Sequence, residues 1–219
     1  MINLENIYKS YDNEKTYVLK NLSLKIEKQD FIAIVGDSGS GKTTLLNIIG
    51  AIDYFDKGSY TFKNINIEKL NGAKLAEFRN KNVGIVFQNY NLIPYLSVLK
   101  NVELPLIFSK KKVRDSKDQV KGVLKQLNLD SLLNRKAALI SGGEQQRVAF
   151  ARAIVNKPSV ILADEPTGNL DSKNTENIYK ILKAFNDEGF TIVVVTHDMN
   201  FASKFDKVYK LDKEKLVRI

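Results

Sequence analysis

"FIAIVGDSGSGKTTLLNIIG", residues 31–50, decides the fold. Its opening five residues, Phe31 to Val35, are an unbroken apolar run, the pattern of a short strand buried on both faces. The next eight, Gly36, Asp37, Ser38, Gly39, Ser40, Gly41, Lys42 and Thr43, fit the spacing G-x-x-x-x-G-K-[ST]. "TTLLNIIG" follows as the helix that such a loop must open. In that context the glycines let backbone N–H groups curl around phosphates. Lys42 supplies a point charge to the β- and γ-phosphates, and Thr43 offers its hydroxyl to Mg²⁺. Thr44, the next residue, extends the phosphate-binding set.

Working outward, three more apolar runs resemble the first: "VGIVF" (83–87), "VILA" (160–163) and "TIVVVT" (191–196). Helical periodicity lies between them. In "SKNTENIYKILKAFNDEG", Ile178, Ile181, Leu182 and Phe185 recur at i, i+3, i+4 and i+7, and Gly189 stops the helix. Alternating strands and helices predict an α/β fold with a mainly parallel sheet. Before residue 30 the pattern differs, because "YVLKNLSLKI" alternates as in an antiparallel strand. From about residue 89 to 140 the rhythm breaks again. That stretch is mostly helical, with Val120, Val123, Leu124 and Leu127 in phase, and reads as an inserted helical subdomain within a single domain spanning 1–219.

Each buried run ends in a polar residue suited to chemistry. Ligands in such sheets bind beyond the carboxyl ends of the strands. Asp164 is placed to hold hydrated Mg²⁺, and Glu165 to polarise an attacking water as general base. His197, the single histidine, would by itself read as structural, but at this edge it is a candidate donor to a γ-phosphate. Gln88 closes its strand in the same way, to ligate Mg²⁺ or position water.

"ISGGEQQR", residues 140–147, reads as a second anion site. Ser141 can cap a helix and Glu144 can cap back. Gly142 and Gly143 leave the first amides of that helix bare, at its positive end.

Composition sets the outer bounds. Among 219 residues, 43% are hydrophobic and 27% charged, ordinary for a globular chain. There is no cysteine, hence neither a disulfide framework nor a thiolate metal site, which fits a reducing cytosol. The N-terminal residues lack the apolar run of a signal peptide. No apolar run approaches the roughly 20 residues needed to span a bilayer. The net charge is +9. Its densest run, "KKKVR" from Lys110 to Arg114, reads as a solvated helix face, with proximity to a membrane surface as the alternative.

Taken in order, the phosphate loop, Gln88, "SGGEQQR", "DE", "GNLD" and His197 resemble the nucleotide-binding domain of ATP-binding cassette (ABC) transporters over essentially the whole chain. The resemblance implies a P-loop NTPase core with an N-terminal antiparallel β subdomain and an inserted helical subdomain. It makes "ISGGEQQR" the signature, with Ile140 where Leu is usual. Two copies would pack head to tail, each burying ATP between its own phosphate loop and the partner's Ser141, Gly142, Gly143 and Glu144. Asp171 in "GNLD" would lie in the loop crossing that interface, and Tyr11 would stack on adenine, although Tyr8 and Tyr17 are close by.

"FQNYNLIPYLSVLKNVELPL", residues 87–106, is similar to the ATPases of lipoprotein-release, macrolide-efflux and antimicrobial-peptide exporters, and to a cell-division ATPase that gates wall hydrolases. Its apolar-aromatic group, Tyr90, Leu92, Ile93, Tyr95 and Leu96, is either subdomain core or a groove for a helix of a membrane subunit. Glu214 stands where the family often has a turn glycine, and no regulatory tail is expected after it. The resemblance thus implies a Mg²⁺-dependent ATPase, working as a homodimer with an integral membrane permease at the cytoplasmic face of the membrane. The alternative is a regulatory ATPase that transmits force to a cell-wall enzyme without transport. No nucleic-acid partner is expected, and no N-K-x-D element points to guanine.

Overall fold

A computed structural model describes residues 1–12, 15–109, 113–168, 172–212 and 215–219, with the side chains of 113–115 and 172–173 excluded. Asp171, Glu214 and the lysines at 110–112 lie outside the described residues.

Two sheets organise the chain. In the first, β1 (Ile2–Ser10), β2 (Tyr17–Ile26), β4 (Lys57–Phe62) and β5 (Ile65–Asn66) pair antiparallel in the order β2-β1-β4-β5. This sheet is not built from the N-terminal segment alone. β4 and β5 arrive only after the first buried strand and its helix, a long-range pairing that no local pattern announces. The second sheet has the order β10-β9-β3-β8-β7-β6. Here β3 (Phe31–Val35), β6 (Val83–Val86), β7 (Val160–Asp164), β8 (Thr191–Thr196) and β9 (Lys207–Asp212) run parallel, and β10 (Lys215–Arg218) closes one edge antiparallel. All of β3 and β8 is buried, which is why these strands read as continuous apolar runs.

The helices are α1 (Lys42–Ile49), α2 (Gly72–Asn82), α3 (Val98–Phe108), α4 (Val113–Gln126), α5 (Gly142–Ile154), α6 (Ser172–Asp187) and the short α7 (Met199–Ala202). Between the second and third buried strands of the sequence, helices α3 and α4 pack on α5, and Val120, Leu124 and Leu127 join Val98, Val102 and Leu106 in one core. Residues 87–97 and 127–141 are turns and short 3₁₀ segments. The apolar stripe of α6 is buried at Ile178, Leu182 and Phe185. Its end is set by Gly189 at φ +98°, whose N–H and that of Phe190 return to the carbonyls of Asn186 and Phe185, the left-handed closure expected of a helix-stopping glycine. No helix among the described residues is long and apolar enough to cross a membrane.

Candidate functional site

The parallel register brings the chemistry to one edge. Val35 pairs with Thr196, Asp164 with Val195, and Val86 with Ala163. The residues that follow these strand ends, 36–43, His197, Glu165 and Gln88, therefore surround one cleft of about 560 Å³. Tyr11, Ser38, Gly39, Gly41, Lys42, Thr43, Thr44, Gln88, Asp164, Glu165 and His197 all line it.

Within the loop, Gly41 has φ +95°, a conformation that disfavours any side chain, and it starts α1 with no side-chain cap. The first amides of α1 are thus left for an external acceptor. The Lys42 ammonium, almost wholly buried, donates to the carbonyls of Gly36 (2.7 Å) and Asp37 (2.8 Å), and Ser40 N–H donates to Asp37 O at 3.1 Å. Gly36, Asp37 and Ser40 therefore shape the loop from behind. The Thr43 hydroxyl donates to Asp164 Oδ1 at 3.2 Å. Burial, reinforced by the neighbouring Glu165 charge, pushes the Asp164 carboxyl above the usual carboxylate range, against the opposing effects of Thr43 and Lys42.

Glu165 sits at φ +44°, a left-handed backbone that β7 hands over to a tight turn closed by Gly168 N–H on Glu165 O at 3.1 Å. Its carboxylate lies 2.9 Å from His197 Nδ1, with the carboxylate largely buried and the imidazole 66% exposed. Tyr11 is 62% exposed in the cleft. Its hydroxyl donates to Asp53 Oδ2 at 2.5 Å, and the Lys9 ammonium lies 4.5 Å from the ring centre while also bonding Asp53. Tyr8 and Tyr17 instead pack edge to face on each other. Asp53 was not visible as a site residue in the sequence, because it lies far from Tyr11 along the chain and carries no motif.

Helix α5 has the reciprocal cap: Ser141 N–H donates to Glu144 Oε2 at 2.7 Å, and Glu144 N–H to Ser141 Oγ. These hydrogen bonds hold the Glu144 carboxyl below the usual range. No residue of 140–147 lines the cleft. Neither Gly142 nor Gly143 has a positive φ. A Cβ on Gly142 would meet open space, and one on Gly143 would meet nothing closer than Arg147 Nη1 at 4.0 Å. Nothing in this chain's own packing asks for glycine at either place.

A second concavity of about 1080 Å³ lies between α2, α3 and β6, lined by Ile52, Ala76, Leu104, Pro105 and Phe108 among others. From the aromatic-apolar stretch, Tyr90 and Leu92 pack against the core, whereas Tyr95 is 72% exposed and lies outside this lining.

The family model for ABC transporters matches residues 19–168. YvrO, an uncharacterized ABC transporter ATP-binding protein of Bacillus subtilis, is 43% identical over 219 residues, 99% of this chain and 96% of its own length. The macrolide export ATP-binding/permease protein MacB of Pasteurella multocida is 41% identical over 99% of this chain, which spans only 34% of MacB. Two dimeric structures of the cassette MJ0796 of Methanocaldococcus jannaschii, one of them a post-hydrolysis state with ADP and Pi, superpose with a TM-score of 0.90 at 44% and 42% identity, covering 100% of this chain and 97% of that one. With the parallel sheet, the phosphate loop and the acidic strand end in one cleft, these matches establish that the chain belongs to the ABC transporter family, as an ATP-binding cassette.

Proposed function

We propose that two copies of this chain close head to tail on ATP, and that the cycle of closure and reopening drives an integral membrane permease at the cytoplasmic face. The observation that carries this reading is the pair Gly142 and Gly143. They are bare at a capped, positive helix end, remote from the chain's own cleft, and not required by its own fold. A phosphate delivered by a second copy accounts for them. The dimeric cassettes of MJ0796 are consistent with this.

In the cleft, Lys42 and the open amides of α1 bind the β- and γ-phosphates, and Tyr11 stacks on adenine. Thr43, Asp164 and Gln88 offer hydroxyl, carboxylate and amide oxygens, the hard donor set that suits Mg²⁺. The carboxyl of Asp164, unfavourably buried as an anion, gains from a neighbouring cation. The ion, when bound, neutralises charge on the phosphate oxygens. Glu165 accepts a proton from the attacking water. His197, oriented by its contact with Glu165, faces the part of the cleft where the γ-phosphate would lie.

The apolar concavity at Leu104, Pro105 and Phe108 receives a helix of the permease. Export of a peptide, lipoprotein or amphipathic drug is the preferred task, since MacB proteins carry a macrolide-export name. Glu165→Gln tests the reading. It should retain ATP binding, abolish turnover and accumulate dimers in ATP and Mg²⁺, seen by size-exclusion chromatography. Turnover at the wild-type rate would remove Glu165 from the base role.

A further inference from the structure

Helix α5 holds more than the anion site at its N-terminus. The Gln146 side chain, 1% exposed, donates from its amide to the carbonyl of Pro166, the residue directly after Glu165. Six residues further along the helix, about 9 Å along its axis, Arg152 donates to the carbonyls of Tyr90 and Asn91, each at 2.6 Å. These are the second and third residues after Gln88. One helix thus grips both segments that carry the cleft's water-handling side chains.

The backbone at both grips is unusual in the same way. Glu165 has φ +44°, Tyr90 +58° and Asn91 +46°. None is glycine, and such conformations persist only where the surroundings over-determine them. In each segment, a carbonyl within or directly after the left-handed residues is the one that α5 captures. Releasing these carbonyls would free the turn at Pro166, which joins directly to Glu165, and the turn at Tyr90 and Asn91, which begins two residues after Gln88.

We infer that Gln146 and Arg152 are positioning residues, through which α5 sets the orientation of Glu165 and Gln88 together. The inference rests on the hydrolytic reading above. It gives α5 a purpose at both ends of the reaction. Its N-terminus meets the nucleotide of a second copy, while its side chains aim Glu165 and Gln88 at the nucleotide of its own. A rigid helix that shifts on closure moves both loops with it.

The test uses the purified chain with ATP and Mg²⁺, and compares Gln146→Met, Arg152→Met and Arg152→Lys with the wild type. Neither Gln146 nor Arg152 lines the phosphate cleft, so the Kd for ATP should stay within about twofold while kcat falls by about ten- to a hundredfold, the scale of a 1 Å misplacement. Arg152→Lys should recover part of the rate lost in Arg152→Met, because an ammonium still supplies donors to two adjacent carbonyls. Unchanged kcat in the Met variants overturns the inference. So does a rate loss matched by an equal loss of ATP-binding stoichiometry and a lowered Tm, which marks a folding defect. Should Gln146→Met not fold, the two Arg152 variants decide alone. A wild type without ATPase activity overturns the hydrolytic reading as well, whereas an active wild type with active Met variants overturns this inference only.

Discussion

Tyr11→Ala should weaken ATP binding without weakening the fold. The side chain is 62% exposed and belongs to neither apolar core, so truncation removes little burial. Its polar tip is held by Asp53 at 2.5 Å, and its ring is fixed beside Lys9 at 4.5 Å, a geometry that presents a rigid aromatic surface to the cleft. A base stacked on such a ring gains about 1–3 kcal/mol, or about 5- to 150-fold in Kd. Tyr11→Phe keeps the ring and loses only the hydroxyl's bonds to Asp53 and, at 3.4 Å, Thr44, so its loss should be the smaller part, about 1 kcal/mol or less. Titration calorimetry with ATP and, in parallel, with inorganic tripolyphosphate separates base from phosphate. The alanine variant should lose affinity for ATP and keep its affinity for tripolyphosphate, with Tm unchanged. Equal losses for both ligands would refute the stacking role and place Tyr11 among the residues that shape the phosphate loop.

Lys42→Ala should cut ATP affinity at least about tenfold, and should also loosen the loop, since two charge-assisted hydrogen bonds of about 1.5–3 kcal/mol each end on that ammonium. Unchanged affinity by calorimetry would count against the phosphate-loop assignment. Asp164→Asn removes a carboxyl whose pKa is raised by burial. The native chain holds that proton to higher pH than the unfolded one, so this group's contribution to stability falls as pH rises from the ordinary carboxylate value through the raised one. At neutral pH without nucleotide, Asp164→Asn should therefore melt higher than the wild type while losing Mg²⁺-dependent turnover, and a lower Tm would contradict the sign. Tyr95→Asp, at an exposed position, should change stability by no more than about 0.5 kcal/mol and leave the ATPase of the isolated chain intact. Tyr95 lies outside the concavity proposed for the permease helix, so loss of co-purification in this variant would move the docking surface to Tyr95. A destabilised, inactive variant would contradict that exposure.

The amino-acid sequence alone determined the fold class and most of the residues that gather in the cleft. The reason is that both are written in local patterns: unbroken apolar strands, a glycine spacing, a reciprocal helix cap, and acids at a strand end. Tertiary structure decided the rest. β4 and β5 complete the first sheet from beyond α1, and Asp53 latches Tyr11 across two elements. Among the aromatics at 87–96, only packing tells that Tyr90 turns inward while Tyr95 faces solvent. In sequence, Gln146 carries no role of its own within the 140–147 motif, and Arg152 lies outside every motif. Their significance lies in three carbonyls contributed by loops up to 62 residues away. A hydrogen bond to a main-chain carbonyl places no demand on the identity of the residue that supplies it. For that reason the partner leaves no mark in the sequence, and only the folded chain brings donor and acceptor together.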